Sequence, residues 1–229
     1  MNDDATLEAF RLADSFLPVG TYTVSYALEA FIADDRVEDA SDLEALLETY
    51  LRRQVGPADL VALRAAHAAA REGNLKTVLV ADRRLTAATL PAEFRESARK
   101  SGRRLLSLQR DLREDPFLER YADRIEAGEA EGTYPVVLGV TTGLAGVDER
   151  EASLLCCHGF ATGLLGAAQR LLSLGHTDAQ RVLNGLRPAM RDAVDDSAER
   201  TIDGMTPFAP LIDVLSAEHE RAERRLFVS

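Results

Sequence analysis

Residues 134–147 read Tyr-Pro-Val-Val-Leu-Gly-Val-Thr-Thr-Gly-Leu-Ala-Gly-Val and carry no charge. The charged turn Asp148-Glu149-Arg150-Glu151 follows, and then residues 152–169, ASLLCCHGFATGLLGAAQ, are uncharged again. Two such stretches around a four-residue charged turn are either a membrane hairpin or the buried centre of a helical protein. The first stretch has 14 residues, short of the roughly 20 that cross a bilayer as a helix. The second holds Ser153, His158, Thr162 and Gln169. We therefore read a buried central helical hairpin. Gly139/Gly143 and Gly159/Gly163 have the four-residue spacing that lets helix backbones approach closely.

The rest of the chain agrees with an all-α fold. Its 229 residues include 35 Ala and 33 Leu against 15 Val, 4 Ile and no Trp. Ala and Leu lose little side-chain freedom in a helix, whereas β-branched residues favour strands. A chain of this length can bury roughly 70% of its unfolded surface, so one globular domain over residues 1–229 needs no staple. The two cysteines, Cys156 and Cys157, are adjacent and form no disulfide framework. With an acidic N-terminus unlike a secretory signal, they point to the cytoplasm.

Punctuation along the chain predicts the helices. The first covers about residues 6–14 and stops at Pro18 and Gly20, and the second covers 24–34. Ser41 is expected as an N-cap with Glu44 at the capping-box position. Gly56-Pro57 is expected to interrupt the chain before an alanine-rich helix to Arg71, and another helix covers 75–87. Pro91 is expected at the first helical position of a long charged helix to Arg113. Pro116 opens the next, and amphipathic helices over 177–194 and 208–225 finish the chain.

Charge excludes some functions. The net charge is −11, and residues 1–50 hold 12 acids against two arginines. Such a surface repels phosphate backbones, so nucleic acid is not an expected partner. One basic stretch stands out: Arg95, Arg99, Lys100, Arg103 and Arg104 face only Glu96 within residues 95–104. It is either a solvated helix face with its own ion pairs or a contact for an acidic partner.

No catalytic pattern emerges. His219-Glu220 begins like a zinc-protease helix, but Glu223 stands where the second histidine belongs. Ser97-Ala98-Arg99-Lys100 matches a short serine-lysine pattern without its companions. There is no Gly-x4-Gly-Lys-Ser/Thr loop. Cys156, Cys157, His158 and His176 are the residues a nickel-binding metallochaperone could use. Neighbouring helix residues, however, point about 100° apart. Small core residues are the preferred reading of the cysteines.

Several short blocks, taken together, resemble the UreF family of urease accessory proteins. They are Asp14-Ser15-Phe16-Leu17-Pro18-Val19-Gly20 with Ser25 and Leu28-Glu29; Arg95-Glu96-Ser97 with Gly102; and Pro135-Val136-Val137 with Gly139. Arg170-Leu171, Leu174-Gly175 and Gln180 follow, and then His219-Glu220, Arg225-Leu226-Phe227 and Ser229. The chain departs from the family at Val24 (usually His), Ala27 (usually Gly), His176 (usually Gln) and Ala179 (usually Gly).

The resemblance implies an all-α, non-enzymatic protein with no cofactor of its own. It implies a bridge between UreD (also called UreH) and the GTPase UreG, which binds the GTP, while nickel is loaded into apo-urease. It further implies a homodimer within that assembly; no membrane attachment is expected, from the length and polarity of the two uncharged stretches. The partner-binding residues it implies are Tyr22, Glu29, Arg95, Arg99, Arg170, Arg225, Leu226 and Phe227. The last three belong to a docking tail at about 219–229.

Overall fold

The computed structural model describes residues 2–14, 16–19 and 25–220. These residues form helices joined by short turns, with no strand among them. In chain order they are α1 (Asp3–Ala13), α2 (Leu28–Ala33), α3 (Ala40–Tyr50), a π-helical segment (Leu51–Leu60), α4 (Val61–Arg71), α5 (Leu75–Ala88), α6 (Ala92–Leu112) and α7 (Pro116–Glu126). Then come α8 (Tyr134–Ala145), α9 (Glu149–Leu171), α10 (His176–Gly185), α11 (Arg187–Ala198), a 3-10 turn (Ile202–Gly204) and α12 (Pro210–His219).

The uncharged segment α8 is the centre, with every residue from Pro135 to Gly143 buried. Its main neighbours are α4 and α6. Glycine makes the α4 crossing possible. A Cβ on Gly139 would lie 2.3 Å from the Leu63 carbonyl oxygen, and one on Gly143 would lie 2.6 Å from that of His67. The close approach expected of the first glycine pair is thus made to α4. Gly146 ends α8 in the left-handed conformation, φ 75°, and Val147 N–H returns to the Thr142 carbonyl. That turn places the Val147 carbonyl 2.9 Å from buried His67 Nε2.

α9 is buried along one side through Ala152, Cys157, Ala161, Leu164 and Ala168. Its other side differs: His158 is exposed, and a Cβ on Gly159 or Gly166 would meet nothing within 4 Å among the described residues. No helix among the described residues is long and apolar enough to cross a membrane.

Several boundaries differ from the sequence expectation. Asp39, not Ser41, caps α3; its carboxylate accepts from Ser41 and Asp42 N–H. Gly56-Pro57 does not interrupt. Helical backbone runs through residues 51–60 in π form with Pro57 inside, and the Arg53 carbonyl accepts from Phe208 N–H at 3.0 Å. Pro91 stands at the N-cap of α6, outside its first turn. The helix expected over 177–194 is two, because Pro188 has no N–H and its ring collides with a preceding carbonyl. Of the residues expected in the last helix, Glu220 is the C-cap of α12, which ends at His219, and 221–225 lie outside the described residues.

Candidate functional site

Three distant parts of the sequence meet where α2, α6 and α12 converge. His219, in the last turn of α12, is 5% exposed. Its Nδ1 is 2.9 Å from Glu93 Oε2, in the first turn of α6, and its Nε2 is 3.3 Å from Glu29 Oε2, in the first turn of α2. Glu220 completes the junction: its Oε1 accepts from Glu93 N–H at 3.1 Å. An acidic side chain at a helix N-terminus is favoured by the helix dipole, which explains the placement of both Glu29 and Glu93. His219, rejected above as half of a zinc motif, instead ties the C-terminal helix to the body.

The approach to α2 is held by aromatic packing. Tyr26 lies edge-on to Phe94, with centroids 4.9 Å apart, and 5.0 Å from Phe160. Tyr50 OH donates to the Tyr26 carbonyl. Tyr26 and Ala27 have φ of 45° and 60°. Ala27 therefore sits in a left-handed conformation that favours glycine, the residue usual in the family it resembles.

The basic stretch on α6 is largely used inside the molecule. Arg95 Nη1 donates to the Thr89 and Leu90 carbonyls at 2.8 and 2.5 Å, so it finishes the C-terminal end of α5. Arg99 pairs with Glu96 and with Glu131 Oε2 at 3.1 Å, while Arg103 Nε donates to the Glu131 carbonyl at 3.0 Å. The loop they grip is organised by Asp82 of α5, which is fully buried. Its two oxygens accept from the N–H groups of Glu131, Gly132 and Thr133 at 2.8, 2.6 and 3.0 Å, and from Thr133 Oγ1 at 2.5 Å.

The remaining predicted residues divide. Arg170, exposed at the end of α9, donates from Nε to the Gly166 carbonyl at 3.0 Å. Tyr22, Arg225, Leu226 and Phe227 lie outside the described residues.

The four residues of a metallochaperone reading do not converge. Cys156 and Cys157 are buried, and burial pushes both thiols up, Cys157 to about 12. His158 faces outward, and His176 Nδ1 is 3.0 Å from Gln169 Nε2. Among the described residues, no group of three His, Cys, Asp or Glu side chains is placed to hold a metal ion. Ala179, the other departure in that region, is buried inside regular α10.

Sequence reasoning did not single out Glu93 or Asp82. Only Glu93 left a signal, as an acid two residues after a helix-opening proline.

The UreF family model matches residues 37–187 of the chain. Among curated proteins, the chain is 33% identical to a urease accessory protein UreF of Trichodesmium erythraeum, over 97% of this chain and 96% of that one. It is 31% identical to urease accessory protein UreF 1 of Brucella melitensis, over 97% and 92% of the two chains. It is also 31% identical to the urease accessory protein UreF of Yersinia enterocolitica, over 99% of each.

Proposed function

The chain belongs to the UreF family of urease accessory proteins, and from that premise we propose that it is a non-catalytic adaptor joining UreD to the GTPase UreG. Nickel is the cargo of that assembly, GTP is bound by UreG, and apo-urease receives the metal. The observation that carries the reading is the junction of Glu29, Glu93, His219 and Glu220. Glu29 follows the N-terminal segment containing Tyr22, assigned to the GTPase. His219 and Glu220 precede the tail containing Arg225, Leu226 and Phe227, assigned to UreD. The junction holds Glu29 beside His219, which supports reading the two segments as neighbouring docking elements.

Glu29, Arg95 and Arg99 act in this proposal by positioning, since each is engaged with its own chain. Arg170 and the tail supply contact, and the adaptor works as a homodimer. Bridging alone shifts no equilibrium. To couple nickel release to GTP, the adaptor must bind one nucleotide state of UreG more tightly than the other.

The test is co-expression of this chain with its own UreD and UreG, purified through a tag on UreD. The expected result is recovery of this chain, and of UreG only when this chain is present. Phe227→Ala should release the chain from UreD, and Arg170→Ala should release UreG while UreD stays bound. A chain that remains monomeric and binds neither partner in matched salt removes the basis of the proposal.

A further inference from the structure

Asp59 lies on the π-helical segment between α3 and α4 and faces a cavity of about 100 Å³, room for several waters. It also lines a smaller cleft on its other side, with Asp213 of α12. It keeps some accessible surface and lines both hollows. Gln54, from the same segment, reaches the cavity too, and its Oε1 is buried without a hydrogen-bond partner. Leu12, Leu17 and Val19, from the end of α1 and the stretch after it, close one wall.

Among the described residues, the titratable neighbours supply no compensating charge. Asp14 lines the cavity from the end of α1, Tyr26 from the approach to α2, Tyr134 from α8 and Cys156 from α9. Tyr50 of α3 packs on Tyr26, and Cys157 adjoins on α9. Among the described residues, the cation in the wall is Arg95, whose Nη1 is committed to the Thr89 and Leu90 carbonyls. Asp59 itself makes no hydrogen bond or ion pair among the described residues. Burial alone pushes its carboxyl up to about 7, and burial also raises the Tyr26 phenol and the Cys156 thiol.

We propose that Asp59 is a proton-operated anchor for the N-terminal segment. With the carboxyl neutral, Leu12, Leu17 and Val19 close over the cavity; on ionisation the cavity takes up water and the segment loosens. The sign follows from linkage. A carboxyl that is harder to ionise in the closed state penalises closure as pH rises from its ordinary value of 3.8 to about 7, and the penalty levels off above that. If opening returns Asp59 to water, the open-to-closed ratio rises about fifteenfold between pH 5.5 and 7. It then rises only about twofold between pH 7 and 8.5. Asp213, also raised by burial, is a second group on the far side of the cleft, so a variant at Asp59 is needed to assign the effect. The inference needs only this chain, so its failure and the failure of the adaptor reading are separate observations.

Hydrogen exchange of the full chain tests it, corrected for the intrinsic pH dependence of exchange. Amides of residues 12–14, 16, 17 and 19 should open about fifteenfold more from pH 5.5 to 7 and then level off. Amides of α4 should not follow that curve. Asp59→Asn should flatten the profile and keep the segment closed at pH 8.5. An unchanged profile in Asp59→Asn, or a wild-type profile without the rise, overturns the proposal. Should Asp59→Asn fail to fold, a carbon-13 titration of the aspartate carboxyls in the wild-type chain decides. Asp59 titrating in the ordinary carboxylate range overturns the proposal, and titration near 7 sustains it.

Discussion

Replacing Asp82 by Asn should cost nearly as much as replacing it by Ala, although Asn has almost the same shape. The carboxylate is an acceptor on both oxygens. Oδ2 takes Glu131 and Gly132 N–H, with Tyr121 OH at 3.4 Å, and Oδ1 takes Thr133 N–H and its hydroxyl. An amide keeps one acceptor oxygen and turns the other into a donor. Whichever way it is flipped, at least one backbone N–H faces an NH2 group, and full burial keeps bulk solvent from replacing the lost acceptor. Each stranded donor costs about 1–3 kcal/mol, and each lost charge-assisted bond is stronger than a neutral one. Together these give about 3–6 kcal/mol, a large share of the roughly 5–15 kcal/mol that holds a domain folded. The neighbourhood cannot relax to help: Gly102 of α6 lies so close that a Cβ there would be 2.0 Å from the Gly132 carbonyl oxygen. The assay is denaturant unfolding followed by helical circular dichroism, comparing midpoints at unchanged slope. A loss below about 1 kcal/mol in Asp82→Asn would refute the claim that a full carboxylate organises residues 131–133.

Two further predictions concern the backbone. Ala27→Gly should raise the melting temperature, with a gain of about 1 kcal/mol, because φ at Ala27 is 60°; a lower melting temperature would mean that the Ala27 methyl contributes more than the strain removes. Gly139→Ala and Gly143→Ala should each cost several kcal/mol, since the new methyl meets α4 backbone oxygens at 2.3 and 2.6 Å. Gly159→Ala and Gly166→Ala should instead be neutral or gain up to about 1 kcal/mol, because nothing lies within 4 Å among the described residues and alanine is the better helix former. Thermal melts of all four, each made singly, check the contrast.

The all-α class was legible because it rests on properties spread over the whole chain: alanine and leucine in excess, few β-branched residues, uncharged runs. The burial of α8 was legible from its lack of charge. Its packing partner was not, because glycine spacing says that a backbone comes close but not which one. The π form of residues 51–60 was hidden for a similar reason. Gly56-Pro57 is a breaker locally. Here the helix continues because Gly56 leaves room for Ala193 of α11, 3.2 Å from where its Cβ would be, and the Arg53 carbonyl finds Phe208 N–H. The acids that matter were illegible among 38. Asp59 and Asp82 differ from surface acids only in what tertiary packing brings to them: no partner for the first, a nest of donors for the second.

The same dependence on packing governs how the arginine stretch could meet a partner. Read as a sequence, it offers five like charges to an acidic surface. In the fold the charges are unequal. A partner that recruited Arg95 would have to take it from the Thr89 and Leu90 carbonyls, leaving the end of α5 unfinished. One that recruited Arg99 would compete with Glu96 and Glu131 and so disturb the loop that Asp82 holds. Arg104 is exposed and makes no ion pair among the described residues, so its recruitment displaces only solvent. Exposed pairs contribute roughly 0–1 kcal/mol each, so breaking Arg99 away is cheap in energy but changes the loop geometry. Loss of binding in an Arg95 or Arg99 variant therefore reports on the shape of the α5–α6 region before it reports on contact. Arg104 is the residue whose removal tests the electrostatic contact by itself.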